Sequence, residues 1–521
     1  MTSPHDVSAT KAGPREWAGL AVLTLPVLLI SVDMTVLGFA VPHLSEDLNP
    51  SSSQLLWIVD IYSFTLAALL VTMGSLGDRI GRRKLLLLGA AGFGVASVAA
   101  AFASSAEIMI AARALLGLAG GTLMPSTLSL IRTMFPDDTQ RKFAIAVWAS
   151  ALSAGSALGP ILGGVLLEFY WWGSLFLINA PVTVLILLLA PVLVRESKAA
   201  SPSAMDPVSV LLSAATMLPA VYGVKKIAEH GPAALPFACL ALGIGCGVLF
   251  VRRQRSRENP MLDIGLFAHR AFSVGVALNL ITLFAMIAAL FFLTQYLQIV
   301  LGISPLRAGL ALLPGLLLAV AASFLAVGAA RRAGTTAVLC AGLLLMALGF
   351  ALLMTLPADS GAPVAIGGFA LICLGMGLTQ TLTNDAVLSA APEDRAGAAS
   401  AVSETGYELG AALGIAVLGS VLSASYRSAL DPVPGVPDSA METARDTLGG
   451  AARTAAELSG AAGDTLTAAA HGAFVDAIRV TSVTAALLLA AAAAATVLTL
   501  RGRDGAAAPT APEPVRAGGD H

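Results

Sequence analysis

Charge is scarce in this sequence. Asp, Glu, Lys and Arg make up 12% of its 521 residues against 57% hydrophobic, and Phe, Trp and Tyr only 6%. So little charge excludes an ordinary soluble fold, and the mean hydropathy of +0.83 points to a chain that crosses a membrane many times. The net charge of −2 comes with no basic patch, because the bases sit in short loops, so no nucleic-acid partner is expected. Cysteine is rare too. Cys239, Cys246, Cys340 and Cys373 all lie in apolar segments and read as small packing residues rather than a disulfide framework. No Gly-x-x-x-x-Gly-Lys-Ser/Thr loop occurs, which excludes ATP hydrolysis by that route. An enzyme, a metal site and a bound cofactor are all unexpected. The apolar run after Trp17 is too long for a signal-peptide core and is expected to be retained.

What the chain does have is apolar runs of about 18–25 residues, long enough to cross a bilayer as helices. About fourteen such runs predict an all-α polytopic membrane protein. Residues 1–18 form a tail, 19–194 six spans, 195–270 an inserted pair with its flanking loops, 271–499 six further spans, and 500–521 a tail read as disordered. Most Lys and Arg fall on one side, while only Lys225, Lys226, Arg307, Arg427, Arg445 and Arg453 fall on the other. The positive-inside rule then places both ends of the chain in the cytoplasm. The Gly- and Arg-bearing stretch 328–334 of the second half echoes the stretch 74–84 of the first, which is the plan of a parallel-repeat transporter with its site between halves. Segment 423–476 is a long extracellular loop, turn-rich at 431–437 and Ala-rich beyond 439. It is either a short helical hairpin or a flexible linker.

The stretch 74–84 packs Asp78, Arg79, Arg82, Arg83 and Lys84 between two apolar runs, punctuated by Gly77 and Gly81. The glycines permit a tight turn, and Asp78 can accept hydrogen bonds from a helix N-terminus and pair with an Arg. Gly77, Asp78, Arg79, Gly81 and Arg82 are therefore a candidate latch between halves. The alternative is a basic turn that only sets topology.

Acids inside spans are costly in hydrocarbon and mark pathways. Asp33 and Asp60 lie in the first two spans, Glu404 and Glu408 stand one helical turn apart in the thirteenth, and Asp385 sits near the cytoplasmic end of the twelfth. A carboxylate out of water favours its protonated form, so it can hold a proton and release it to an arriving cation. The plainer alternatives are a structural Asp33–Arg113 pair, a solvated Asp60 at the end of its span and a packed hydrogen bond at Glu408. Glu404 and Asp385 are open to a solvated or gate-pairing role. Trp57, Tyr62, Trp148, Phe292, Tyr296, Met376 and Tyr407 are candidates for a cage around lipophilic cations, or else pack or face lipid. The pair Trp171-Trp172 reads as an interfacial anchor.

These residues resemble a known family. The turn at 74–84 is similar to the signature loop of the major facilitator superfamily, and the span number resembles its fourteen-span drug:H+ antiporter branch. Asp33-Met34-Thr35-Val36 with Pro42 resembles that branch's first-span motif, although Leu37-Gly38 stands where the family carries Asn after Val. Arg113 with Gly117, Gly120 and Gly121 resembles the fourth-span motif, and Gly155, Gly159, Pro160, Gly163 and Gly164 resemble the antiporter motif of the fifth. The runs 176–181, 295–298 with Ser304-Pro305, and 404–410 agree. The last of these, with Trp57 to Asp60, resembles exporters of quaternary ammonium compounds, while the tenth span has no acid.

The resemblance implies the major facilitator fold, two six-helix bundles plus two inserted helices. It implies that Arg113 helps move a proton on and off Asp33, and that the fifth-span glycines serve rocking or leak sealing. The expectation is a monomeric, proton-coupled exporter of lipophilic, cationic compounds in a bacterial plasma membrane, driven by the proton gradient. An exporter of one endogenous metabolite is the first alternative. A membrane sensor without turnover is the second.

Overall fold

The computed structural model describes residues 12–198, 206–230, 233–257, 260, 264–357, 361–389, 396–458 and 461–500. The first half comprises α1 (Pro14–Leu48), α2 (Ser52–Ile80), α3 (Arg82–Ala101), α4 (Ala106–Met134), α5 (Asp138–Phe169), the single turn α6 (Ser174–Leu177) and α7 (Asn179–Leu193). A helical pair follows, α8 (Pro207–His230) and α9 (Ala234–Ser256). Next come α10 (Arg270–Gln295), α11 (Pro305–Ala333), α12 (Thr335–Leu353), α13 (Ala362–Ser389), α14 (Ala396–Gly414) and α15 (Ser420–Ala429). Two short helices, α16 (Asp438–Asp446) and α17 (Leu448–Glu457), precede the long α18 (Ala461–Leu500).

Twelve of these segments are long and apolar enough to cross a membrane among the described residues. The 32-residue α5 and the 24-residue α8 have spanning length but carry shorter apolar stretches, Leu158–Phe169 and Pro207–Ala220. The expectation of an all-α polytopic fold is met. Only helices close every backbone hydrogen bond within one apolar segment.

Local sequence sets the helix ends. Ser51 and Gln54 form a reciprocal capping box that starts α2, with Ser51 N–H donating to Gln54 Oε1 at 2.9 Å. Asp137 accepts from the Gln140 N–H at 2.9 Å to start α5. Gly81 (φ 116°) separates α2 from α3 and Gly334 (φ 87°) separates α11 from α12, so both halves break at a glycine in the left-handed region. The turn is therefore narrower than the sequence suggests. Residues 75–80 continue α2 as helix, and one residue makes the break. A carboxylate from beyond α7 completes it: Glu196 accepts from the N–H groups of Arg83 (3.0 Å) and Lys84 (3.1 Å) at the start of α3. Arg83 also donates to the carbonyls of Pro191 and Val194.

Helices pair within each half, α1 with α5, α2 with α4, α10 with α14 and α11 with α13. The halves meet where α5 lies on α11, α2 on α14 and α1 on α10. The α8–α9 pair packs on α2 and α15, and α9 leaves Leu235, Phe237, Leu242 and Ile244 exposed. Its base is clamped outside the apolar stretch by Arg253, which donates twice to Asp206 at 2.8 Å and holds that carboxyl well below the usual carboxylate range.

Of the two readings of 423–476, the structure takes the helical one. Helix α15 runs to Ala429, and α16 and α17 fold back over the end of the bundle. Tyr426 donates to the Ala444 carbonyl at 2.9 Å and Arg427 pairs with Asp446 at 2.9 Å. Ser52 donates to the Asp446 carbonyl, which ties the hairpin to the start of α2. The last span begins at Ala461 rather than near 477, because 461–476 has no helix breaker beyond Gly463 and Gly472. Of the expected interfacial pair, Trp171 is exposed whereas Trp172 is buried and donates to Asp47 at 2.7 Å. The four cysteines are free thiols.

Candidate functional site

The acids converge where α1, α2, α4 and α14 meet. Asp33, Asp60, Arg113 and Glu408 are each only 1 or 2% exposed. Arg113 donates through Nη1 to Asp33 Oδ2 at 2.5 Å, through Nε to the Ile58 carbonyl at 3.1 Å, and through Nη2 to the Val59 carbonyl at 3.4 Å. Its guanidinium carbon stands 4.6 Å from the centre of the Tyr62 ring. So the Asp33–Arg113 pair is fully formed, and one turn of α2 supplies the remaining partners of the cation. A buried ion pair persists only with such hydrogen bonding, because desolvation otherwise outweighs the Coulomb gain.

Glu408 differs. Across the interface on α14, its Oε2 is buried without a hydrogen-bond partner, and no base pairs with it among the described residues. Ser63 is its side-chain neighbour on α2. Glu404, one turn away, is half-buried. Asp60 is buried rather than solvated, and it lines a cavity with Tyr62, Ser63 and Arg113 on one side and Ile287, Ala412 and Ile415 on the other. Ile415 opens a π-helical turn, Ile415–Gly419, a local distortion frequent at functional positions. The cavity measures about 20 Å³, room for roughly one water. A drug-sized ligand needs several hundred Å³, so reaching these residues requires the halves to part.

The halves are closed on one another at the end that carries the α16–α17 hairpin. Pro42 has no N–H for the Gly38 carbonyl, and Thr294 of α10 supplies the missing donor at 2.8 Å. Gln298 donates to the adjacent Phe39 carbonyl at 3.2 Å. On α5, Gly155, Gly159 and Gly163 sit against Ser31, Thr35 and Val36 of α1. Gly164 faces the other half, where an added Cβ would lie 2.5 Å from Leu306 Cα, and Pro160 turns its carbonyl toward Gly309 of α11. The glycines thus join α1 and α11 to opposite faces of one helix.

Other predicted residues lie elsewhere. Asp385 is exposed near the end of α13 and takes no part in the cluster. Tyr296 donates to the Pro357 carbonyl at 2.6 Å, and Trp148 donates to Thr127 at 3.1 Å. Trp57 packs against the cluster of Phe64, Ala412 and Ala416, and Tyr407 lies beside Gln380, Asn384 and Ser403. Phe292 stacks toward Phe350, and Met376 is buried in the main core. The aromatic residues do not form one cage, and the face of Tyr62 is already taken by Arg113. In the turn, Gly77 is buried within α2, Arg79 is exposed, and Arg82 N–H donates to the Ser197 carbonyl at 2.9 Å. The Asp78 side chain lies outside the described residues. Glu196 and Thr294 were not singled out from sequence. The position of Pro42 four residues after Gly38 was the available signal for Thr294, since it announces a carbonyl in need of a donor.

Comparison with known proteins agrees with this geometry. The pattern of the Major Facilitator Superfamily matches residues 23–415. The chain is 48% identical to the multidrug efflux pump LfrA of Mycolicibacterium smegmatis, over 92% of this chain and 96% of that one. It is 35% identical to the methyl viologen resistance protein SmvA of Salmonella typhimurium, over 88% and 93%. It is 32% identical to the tetracenomycin C resistance and export protein of Streptomyces glaucescens, over 81% and 79%. The solved structure of a bacterial homolog of the human lysosomal transporter Spinster shares the fold, with a TM-score of 0.69 at 16% identity over 94% of this chain and 98% of that one. A transporter fold, a buried charge cluster between its halves and these relatives all lead to one assignment: the chain belongs to the major facilitator superfamily and is a transporter, not an enzyme.

Proposed function

We propose that this protein is a proton-coupled multidrug exporter that carries lipophilic, cationic compounds out across a bacterial plasma membrane. Both termini lie in the cytoplasm in this reading, so the α16–α17 hairpin caps the outer face. The observation that carries it is the contrast between Asp33, compensated by Arg113, and Glu408, buried on the facing half with no basic partner among the described residues. An uncompensated carboxylate at that depth holds either a proton or a substrate cation, and alternation between them is antiport. Asp60 lines the same cavity and Glu404 stands one turn from Glu408; both extend the acidic lining. Relatives named for multidrug efflux and for methyl viologen resistance support a broad cationic substrate range. The test is ethidium transport from the medium into the lumen of inside-out vesicles, the direction of cellular efflux, under an imposed pH gradient, wild type beside Glu408→Gln. Gradient-driven efflux in the wild type that is lost in the variant supports the reading. Efflux indifferent to the gradient refutes it.

A second reading rests on the relative named for tetracenomycin C export: a pump dedicated to one product of its own cell. In that case ethidium is not carried, whereas an extract of the producing cell contains a compound that is.

A further inference from the structure

Proton coupling, on which this inference rests, places Arg113 in a difficult position. When a proton reaches the Asp33 carboxylate, the guanidinium loses its anionic partner while remaining charged and 1% exposed. Left there without support, a buried cation would oppose the proton's arrival. We infer that Tyr62, together with the Ile58 and Val59 carbonyls, is a holding site that keeps Arg113 in place through the protonated half of the cycle.

The geometry is specific. Tyr62 stands four residues after Ile58 on α2, and side chains on a helix lean toward its N-terminus, so the ring lies over the turn whose carbonyls Arg113 already grips. The ring face, 4.6 Å from the guanidinium carbon, stabilises a cation through its quadrupole without needing a negative charge. The charged and titratable neighbours are Asp33 from α1, Asp60 from α2 and Glu408 from α14. The two acids facing Tyr62, Asp33 and Glu408, lie on opposite halves. Tyr62 is fully buried, and its hydroxyl has no hydrogen-bond partner among the described residues. The ring, not the hydroxyl, is therefore the working part. Gly120 of α4 makes the room: an added Cβ there would lie 3.3 Å from the Tyr62 hydroxyl and 3.2 Å from Leu66 Cδ1. This gives the fourth-span glycine a purpose beyond helix packing. Only one proton moves in the step, onto Asp33; Arg113 keeps its charge, and the Nη1–H contact passes from a carboxylate to a neutral acid. Tyr62 acts through Arg113 and is a positioning residue.

The experiment uses the full chain in proteoliposomes, with two readouts: ethidium efflux driven by a pH gradient, and ethidium exchange without one. Exchange needs no change in the protonation of Asp33, so it isolates the coupled step. The wild type must first show gradient-driven efflux; its absence would sink proton coupling and this inference together, a result distinct from any variant-specific one. Tyr62→Phe is expected within about twofold of wild type in both readouts, because it keeps the ring. Tyr62→Leu is expected to lose about tenfold of driven efflux while exchange stays within about threefold. Wild-type driven efflux in Tyr62→Leu, equal loss of both readouts, or equal damage in Tyr62→Phe each overturns the inference. If Tyr62→Leu does not reach the membrane, Gly120→Ala takes its place. Driven efflux should fall about threefold and recover when Tyr62→Phe removes the crowded hydroxyl. No recovery refutes the assignment.

Discussion

Two buried carboxylates face each other across this molecule and are treated in opposite ways. Asp33, on the first half, is locked to Arg113 by a 2.5 Å contact, and the cation is braced by two carbonyls and a ring. Glu408, on the second half, has an oxygen with no donor and no neighbouring base among the described residues. The first arrangement is a charge system complete in itself. The second is incomplete, and an incomplete buried acid is the one that gains most from an incoming proton or cation. In the proposed function Glu408 exchanges proton for cargo while the Asp33–Arg113 pair on the other half takes part in the proton's passage, an arrangement that a rocking transporter would bring together and apart.

Removing the brace should do most to break this contrast. Arg113→Met leaves Asp33 buried without a cation, a loss of about 3–5 kcal/mol for one partner of a buried pair. The expected outcome is a marked fall in thermal midpoint together with abolished drug efflux. Arg113→Lys should not restore it, since an ammonium cannot bond Asp33 and both carbonyls from one planar fork. A fully active Arg113→Lys protein would mean that charge alone matters there.

Glu408→Gln sharpens the other side. Its Oε2 accepts no hydrogen bond and an amide can keep the contact with Ser63, so replacing the carboxylate should change stability by less than about 1 kcal/mol. Efflux of ethidium should drop at least about tenfold, the loss expected from removing one charge-assisted contact. Parallel resistance profiles for cationic and neutral compounds provide the measurement. Equal loss for both classes would leave Glu408 a proton site only, without the direct contact to the cation.

How much of this could be read beforehand depends on the kind of interaction. The membrane fold, the acids and the pairing of Asp33 with Arg113 were legible, because charge in an apolar span must find a partner within the bundle. The helical hairpin was one of two open readings, since Ala-rich sequence permits helix without requiring it. The occupation of the Tyr62 face by Arg113 was not legible: cation–π contact depends on where two helices cross, and sequence left Tyr62 as a candidate for substrate. Glu196 at the start of α3 was equally hidden. A loop acid looks like any solvated carboxylate until the fold carries it to the N–H groups of Arg83 and Lys84.

A smaller effect probes the closure that holds the two regions apart from solvent. Thr294→Val keeps the shape of the side chain and deletes the donor that Pro42 makes necessary, leaving the Gly38 carbonyl short of one hydrogen bond. The loss of about 0.5–1.5 kcal/mol falls on the closed arrangement alone. Cysteine pairs across the hairpin end should therefore cross-link more slowly by about threefold. An unchanged cross-linking rate would mean that the packing of Gly164 on Leu306 and of Gly309 on Pro160 holds the closure without this bond.

The smallest effect belongs to Asp385, and it tests the principle behind the comparison. Asp385, Glu404 and Glu408 all lie on the second half, yet they grade from exposed through half-buried to 2% exposed. If burial without a partner is what makes an acid functional here, the three should not be equivalent. An exposed carboxylate is already solvated, gives little advantage to a bound proton and is screened by salt from any distant cation. Asp385→Asn should therefore leave ethidium efflux within about twofold of wild type, with Glu404→Gln between it and Glu408→Gln. A loss at Asp385 as large as that at Glu408 would show that position along the pathway, and not desolvation, selects the working acid, and the contrast between the halves would then need a different physical basis.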